Sequence, residues 1–241
     1  MKKIISLVLF LSIVAAGFSQ EKKDWNKINL ANQAGDHLMI QLSSDNWANM
    51  PDTVSRRKGG GLSRGFNFAL MINKPFKTDP RWSVAFGIGI SNSNIFFQTV
   101  DIGVAAGGSS IPFTNDSAAN HFKKYKLATT FLEIPVELRY TFDPEHQNKS
   151  WKIAIGAKVG EMLDAHTKGK TLLDQNGNLI NDYTEKVSNT AFFNTTRLCG
   201  TARVGYGNFS VFTAFQITSF FKPGAGPGVI PYQIGLSLSG L

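Results

Sequence analysis

Two neighbouring stretches of the chain decide the fold: FLEIPVELRYTF at positions 131–142 and WKIAIGAKV at positions 151–159. In the second stretch the odd positions are apolar, and the even positions are small or cationic. The first stretch also alternates, and its second face carries Glu133, Glu137 and Arg139. Alternation with a period of two predicts β-strands that have one apolar and one polar face.

The same alternation recurs along most of the chain and predicts about eight strands. It is found near residues 38–42, 66–72, 82–90, 198–206, 209–217 and 232–238. Short turns are expected at 77–80, 143–150 and 207–208, and longer Gly-, Ser- and Asn-rich segments at about 45–61, 100–121, 174–194 and 223–231. An even strand number with alternating short and long connections predicts an all-β fold, an eight-stranded antiparallel transmembrane up-and-down β-barrel. A change of parity near Phe131 predicts a β-bulge there.

The N-terminus has the features of a secretory signal. Lys2 and Lys3 precede an apolar run over residues 4–16, which is too short for a comfortable membrane helix. We expect a signal peptide at residues 1–19, a polar periplasmic lead segment at 20–35 and the barrel domain at 36–241. The single cysteine, Cys199, excludes an internal disulfide.

Aromatic residues beside the short turns share the outward parity of the strands. They are Phe76, Trp82, Tyr140, Phe142, Trp151, Tyr206 and Phe209. Such a set predicts an aromatic girdle at one membrane interface. A second girdle at the opposite level is expected from Phe96, Phe97, Tyr125, Phe192, Phe221 and Tyr232, although their parity is less regular.

Charged residues on the second face of the strands form a candidate lumen network. They are Glu133, Glu137, Arg139, Lys152, Lys158, Arg197 and Arg203. Opposite charges on neighbouring strands pair across a sheet, and an eight-stranded interior is just wide enough for side chains to fill it. The network is therefore either a salt-bridged filling of the lumen or the lining of an anion-preferring path. A soluble barrel or sandwich, with the apolar face as its core, is the alternative fold.

Three features of the sequence carry a family resemblance: the strand Phe131-Leu132-Glu133-Ile134-Pro135-Val136-Glu137-Leu138-Arg139-Tyr140, the signal ending before Gln20 and the closing Gly235-Leu236-Ser237-Leu238-Ser239-Gly240-Leu241. In these features the chain resembles the PorT-like outer-membrane β-barrel proteins of Bacteroidetes. The resemblance spans most of the expected mature chain and implies a small barrel. The family's namesake is similar to components of a protein secretion system. The C-terminal Leu241 departs from the aromatic residue that commonly ends such barrels.

Candidate catalytic and metal residues are few. His166 follows Asp164 near one rim, with Glu161 close by, and the sequence spacing supplies no matching serine. Cys199 lies between Arg197 and Thr201 with lumen parity and is expected to be a buried thiol. Residues 174–178 resemble the start of a calcium loop without its closing glutamate, so we interpret them as a turn. We expect no catalytic site, no metal and no cofactor.

The formal net charge is +8. In a secreted chain such a charge would meet anionic surfaces rather than nucleic acid, but we expect the excess to be spread over the loops and the lumen. The main hypothesis is a structural or interaction barrel in the cell outer membrane, with no enzymatic activity, that presents its long loops outside. The alternatives are a narrow anion-preferring solute channel and an accessory component of protein secretion. Expected partners are outer-membrane lipid and lipopolysaccharide, the barrel assembly machinery during insertion, and a protein that contacts the loops.

Overall fold

The structure is a computed structural model that describes residues 38–51, 63–115 and 118–239. The strands are β1 (Leu38–Ala48), β2 (Arg64–Pro75), β3 (Trp82–Phe97), β4 (Val100–Ile102), β5 (Phe113–Asn115), β6 (His121–Thr141), β7 (Trp151–Leu173), β8 (Leu179–Ser188), β9 (Thr196–Tyr206), β10 (Phe209–Gln216) and β11 (Ile230–Ser239). A 3-10 turn at Gln147–Lys149 precedes β7. No described helix is long and apolar enough to cross a membrane. The expected signal peptide and lead segment lie outside the described residues.

Eight of these strands form one closed antiparallel wall. Their order around the wall is β1, β2, β3, β6, β7, β9, β10 and β11, and β11 pairs with β1 from Met39↔Ser239 to Ala48↔Ile230. Each strand pairs with the wall strands before and after it in the chain, so the predicted eight-stranded up-and-down barrel is confirmed. Short connections lie at one end of the wall, the turn end, and long connections at the other, the loop end.

The strand register fixes the tilt of the wall. Successive register partners, followed once around the barrel from Trp82 on β3, lead back to Asn92 on the same strand, so the shear is 92 − 82 = 10 residues. With a rise of about 3.3 Å per residue and strands about 4.8 Å apart, this shear tilts the strands by roughly 40°.

The outer surface of the wall is apolar over a limited height, which we call the apolar band. On β3 the outward side chains are aromatic or aliphatic from Trp82 to Ile90 and become polar at Asn92. At the tilt given above, the rise of ten positions from Trp82 to Asn92 is about 25 Å, the height of the apolar band in outer-membrane barrels. Exposed members on other strands include Leu42, Leu70, Ile134, Ile155, Val204, Val211 and Leu236.

The seven aromatics beside the short turns lie at the turn-end border of this band. Ring centroids are 4.9 Å apart for Trp82 and Tyr140, 5.0 Å for Tyr140 and Phe142, and 5.7 Å for Trp151 and Tyr206. The exposed members of the set are Phe76, Phe142, Trp151, Tyr206 and Phe209, and the half-buried ones are Trp82 and Tyr140. Their placement fits an interfacial girdle, a role that stays a prediction.

At the loop end, β6 and β7 continue beyond the wall, and β8 pairs with the end of β7 from His166↔Ser188 to Leu173↔Leu179. The expectation of a loop over 174–194 was therefore wrong for 179–188, where β8 folds back as the second strand of a hairpin. A smaller hairpin of β4 and β5 lies within the expected 100–121 segment. The predicted bulge is confirmed by the register shift between Thr130 and Phe131.

The apolar band should tolerate a charge only near its borders. Leu70→Arg places a cation within the band on an exposed position of β2, so we expect it to lower the free energy of unfolding from lipid vesicles by about 2–4 kcal/mol. Asn46→Arg, above the band on neighbouring β1, is the matched control and should cost roughly 0–1 kcal/mol. Equal effects in urea titrations of the two variants would contradict a membrane-spanning wall.

Candidate functional site

The barrel interior holds two buried clusters of opposite charges. In the cluster nearer the loop end, the Glu133 carboxylate accepts hydrogen bonds from the guanidinium of Arg197 at 2.6 and 2.9 Å. Its second oxygen lies 2.9 Å from Nζ of Lys158. The Arg197 guanidinium carbon also lies 3.6 Å from the ring centroid of Phe131, a cation–π contact. All three charged side chains are buried.

The second cluster lies nearer the turn end. One carboxylate oxygen of Glu137 accepts hydrogen bonds from Nε of Arg139 at 2.8 Å and from Nη2 of Arg203 at 2.9 Å. Arg203 also donates through Nη1 to the Ser239 hydroxyl at 2.9 Å. Because β6, β9 and β11 contribute to this cluster, it joins strands from opposite parts of the wall.

Glycines on β7 make room for these long side chains. Gly160 is the register partner of both Glu133 and Arg197, and Gly156 is the partner of Glu137. A Cβ at Gly156 would overlap the backbone oxygen of Val136, and one at Gly160 would come within 3.0 Å of the Glu133 Cγ. The absence of a side chain here therefore allows the carboxylates to lie across the lumen.

A chain of polar groups links the first cluster to the far wall. Arg197 donates to the Ser91 hydroxyl at 2.9 Å, which donates to Asn67 Oδ1 at 2.6 Å. The Asn67 amide donates to Gln233 Oε1 at 3.2 Å, and Gln233 donates to Asp45 Oδ2 at 3.0 Å. The network thus spans β9, β3, β2, β11 and β1.

Asp45 changes the charge balance expected from the sequence. The sequence pattern places it at the start of a long segment, whereas it lies on β1 with 1% exposure and faces the lumen. The buried charged residues that the structure describes are then three carboxylates and four cations: Asp45, Glu133, Glu137, Arg139, Lys158, Arg197 and Arg203. Lys152 is half-buried near the turn end. The lumen is therefore more nearly neutral than the seven predicted residues indicated.

An apolar cluster, which we call the aromatic cap, lies above these charges at the loop end. Trp47 lies 5.2 Å from Phe220 between ring centroids, Phe220 lies 4.8 Å from Phe221, and Phe193 lies 5.3 Å from each of them. The further buried members include Phe97, Val100, Ile102, Ile111, Phe192 and Val229. Connections at the loop end thus fold inward over the barrel mouth.

The predicted second girdle was wrong for four of its six residues. Phe97, Tyr125, Phe192 and Phe221 are 5% exposed or less and belong to the buried cluster. The physical reason is that the loop-end connections return over the lumen, which gives inward-facing aromatic side chains an apolar environment. The hydroxyl of Tyr125 helps to hold the β4–β5 hairpin there, since it donates to Asp101 and accepts from the Ile102 amide.

The other chemistry-bearing residues lie apart from the lumen clusters, except for buried Cys199. His166 Nδ1 lies 2.7 Å from Asp164 Oδ2, and the register partner of His166 on β8 is Ser188. This neighbour is 22 positions away in sequence, so spacing did not reveal it, and no hydrogen bond joins the two described side chains.

Residues 174–178 form a turn held by one carboxylate. Asp174 accepts hydrogen bonds from the backbone amides of Asn176 and Asn178 and from the Asn178 side chain. The Asn178 amides hold the pKa of the Asp174 carboxyl below its ordinary value. Within the described ranges, no group of three or more His, Cys, Asp or Glu residues could hold a metal ion.

The comparison with protein families agrees with the barrel architecture. The family model described as outer membrane protein beta-barrel domain matches residues 18–221 of the 241. No curated protein matches the chain. Similar solved structures include two of Ail, the attachment invasion locus protein of Yersinia pestis. Its crystal structure with the heparin analogue sucrose octasulfate has 11% identity over 84% of this chain and 94% of that chain, with a TM-score of 0.35. Its nanodisc structure has 14% identity over 84% and 97%, with a TM-score of 0.32. At these scores the likeness carries no functional argument.

The buried clusters should be sensitive to the loss of one charge. Glu133→Gln leaves Lys158 and Arg197 buried without their carboxylate, so we expect it to lower the free energy of unfolding in detergent by about 3–5 kcal/mol. The control is Glu161→Gln on β7, at an exposed carboxylate that accepts from the Thr196 hydroxyl. It should change stability by roughly 0.5 kcal/mol or less. A small effect from both variants would show that the Glu133 cluster does not hold the wall.

Proposed function

Since this chain belongs to the outer membrane protein beta-barrel domain family, we propose that it is a closed, non-conducting barrel of the outer membrane whose loop end faces the outside and binds a partner protein. The observation that carries the proposal is the occupied lumen, because the ion clusters and the aromatic cap lie across the route that a solute would have to take. With its interior filled, the barrel offers a partner its loops and the projecting hairpin.

The loop end has the properties of a preformed binding surface. The Ile111 amide donates to the Ala225 carbonyl at 2.8 Å, and the Asn194 amide donates to the Phe220 carbonyl at 3.0 Å, so separate connections are tied together. Ordering these segments in advance reduces the entropy that binding would otherwise cost. Loops held on a rigid scaffold commonly carry the function of a protein.

The β7–β8 hairpin supplies a contact surface for such a partner. Leu179, Ile180 and Tyr183 are 63%, 49% and 39% exposed, although the hairpin lies beyond the apolar band. Strand β8 pairs with β7 alone among the described strands, so its other edge can accept a further strand. Exposed apolar side chains on a free strand edge favour a protein partner over a soluble polar ligand.

Two narrower assignments are also proposals. Kinship with the PorT-like proteins is supported by the Leu132-Glu133-Ile134-Pro135 strand. An accessory role in protein secretion would fit a barrel that contacts a partner through its loop end. We also propose that the barrel has no enzymatic activity, because the buried charges bind one another and the outer Asp164–His166 pair has no hydrogen-bonded serine among the described residues.

The occupied lumen predicts silence in planar bilayers. We expect purified protein to give no discrete conductance steps, whereas a porin reconstituted in the same way should give them. The physical reason is that an ion would have to displace paired buried charges and then cross an apolar cluster. Reproducible single-channel steps would contradict the proposal and favour the channel.

The hairpin predicts a position-dependent cross-link in living cells. A photo-reactive amino acid at Ile180 should give a discrete adduct, and the same group at Lys77, in a turn at the opposite end, should not. Leu179→Ser combined with Tyr183→Ser should abolish the adduct, whereas the polar pair Asn181→Ser and Thr184→Ser should keep it. Equal adducts at both ends, or none at Ile180, would contradict the proposed surface.

A further inference from the structure

Five lysines face outward on the three strands that project at the loop end, and we call them the lysine ladder: Lys124 and Lys126 on β6, Lys168 and Lys170 on β7, and Lys186 on β8. Cross-strand partners join them, because Lys124 pairs with Lys170, and Lys168 pairs with both Lys126 and Lys186. Directly opposed side chains in a sheet are neighbours about 5 Å apart, and like charges there destabilise the pairing. The ladder therefore places five ammonium groups together at a cost to the fold.

Nearby carboxylates neutralise little of this charge. Lys186 lies 3.5 Å from Asp164, which is also the partner of His166. Lys126 donates instead to the neutral Asn94 side chain at 2.6 Å. Within the described ranges, Lys124, Lys168 and Lys170 form no salt bridge. Burial and the Lys168 ammonium lower the pKa of Lys126, which lies above the apolar band. The positive charges of these lysines therefore repel one another when no anion is bound.

The position of the ladder indicates which anion it meets. Lys126 lies six positions before Leu132 on β6, and Leu132 is an apolar residue at the upper border of the band. At the tilt of the wall this separation is roughly 15 Å. The ladder also continues the outward face of β6 and β7 that bears the lipid-facing side chains. It therefore points sideways into the layer directly above the lipid, where the headgroups and sugars of neighbouring lipids lie.

We propose that the lysine ladder binds phosphate groups of lipopolysaccharide molecules that surround the barrel in the outer leaflet. Lysine suits this ligand, since each ammonium is a compact charge with three donors that can turn toward phosphate oxygens. The proposal rests on the outward orientation of the loop end, but it does not depend on a protein partner at β8. Failure of the Ile180 cross-link would leave it intact.

Binding of purified lipopolysaccharide to the folded full-length barrel in zwitterionic detergent tests the proposal. Lys168→Gln with Lys170→Gln should weaken binding roughly tenfold to thirtyfold. The control pair Lys77→Gln and Lys149→Gln removes the same charge at the turn end and should bind like the wild type. Lipopolysaccharide treated with phosphatase should bind all three proteins weakly, and added salt should weaken wild-type binding.

A thermal-unfolding experiment provides a second measurement, in which lipopolysaccharide should change the melting temperature of the wild type relative to that of the ladder variant. Without lipopolysaccharide, the ladder variant should melt at the same temperature as the wild type or a few degrees higher, because a repulsion is relieved. With lipopolysaccharide, the wild type should gain stability and the variant should not. Wild-type affinity in the ladder variant, or full binding of dephosphorylated lipopolysaccharide, would overturn the proposal. Equal affinity of the ladder for soluble tripolyphosphate would also overturn it, since the ligand would then not need a lipid anchor.

Discussion

The pairing of β1 with β11 is the constraint on which the rest of the structure depends. Hydrocarbon offers no hydrogen-bonding partner, so a sheet can cross a membrane only if its first and last strands also pair. The register from Met39↔Ser239 to Ala48↔Ile230 meets this requirement along nearly the whole of both strands. The shear of ten residues that results sets the tilt, and the tilt sets the height of the apolar band.

Closure also inverts the usual distribution of polar groups. The apolar faces of the strands meet lipid, so the charged faces must share a narrow interior from which water is largely excluded. Paired charges solve this problem: Glu133 and Glu137 each contact two cations, and Gly156 and Gly160 give those side chains room. The same side chains lie across the lumen, so the interactions that stabilise the wall also occupy its interior.

Strand number and topology could be predicted because they depend on a period of two that lipid and lumen impose on every wall strand. The sequence prediction was wrong for residues that lie outside the alternating part of the wall strands. Phe192 and Phe221 were assigned to a girdle because sequence parity does not show that a connection folds back over the lumen. Strand β8 was missed because both of its faces are largely exposed, and Asp45 because its strand continues beyond the last apolar residue of the alternation.

The most direct test of the account is heat-modifiable migration of the mature protein extracted from outer-membrane fractions. A closed barrel resists detergent until it is boiled, so the unboiled sample should migrate differently from the boiled one and should fractionate with the outer membrane. A protein recovered from the periplasm without detergent, with identical migration before and after boiling, would contradict the account. The apolar face would then be a core, and the buried charges would need another explanation.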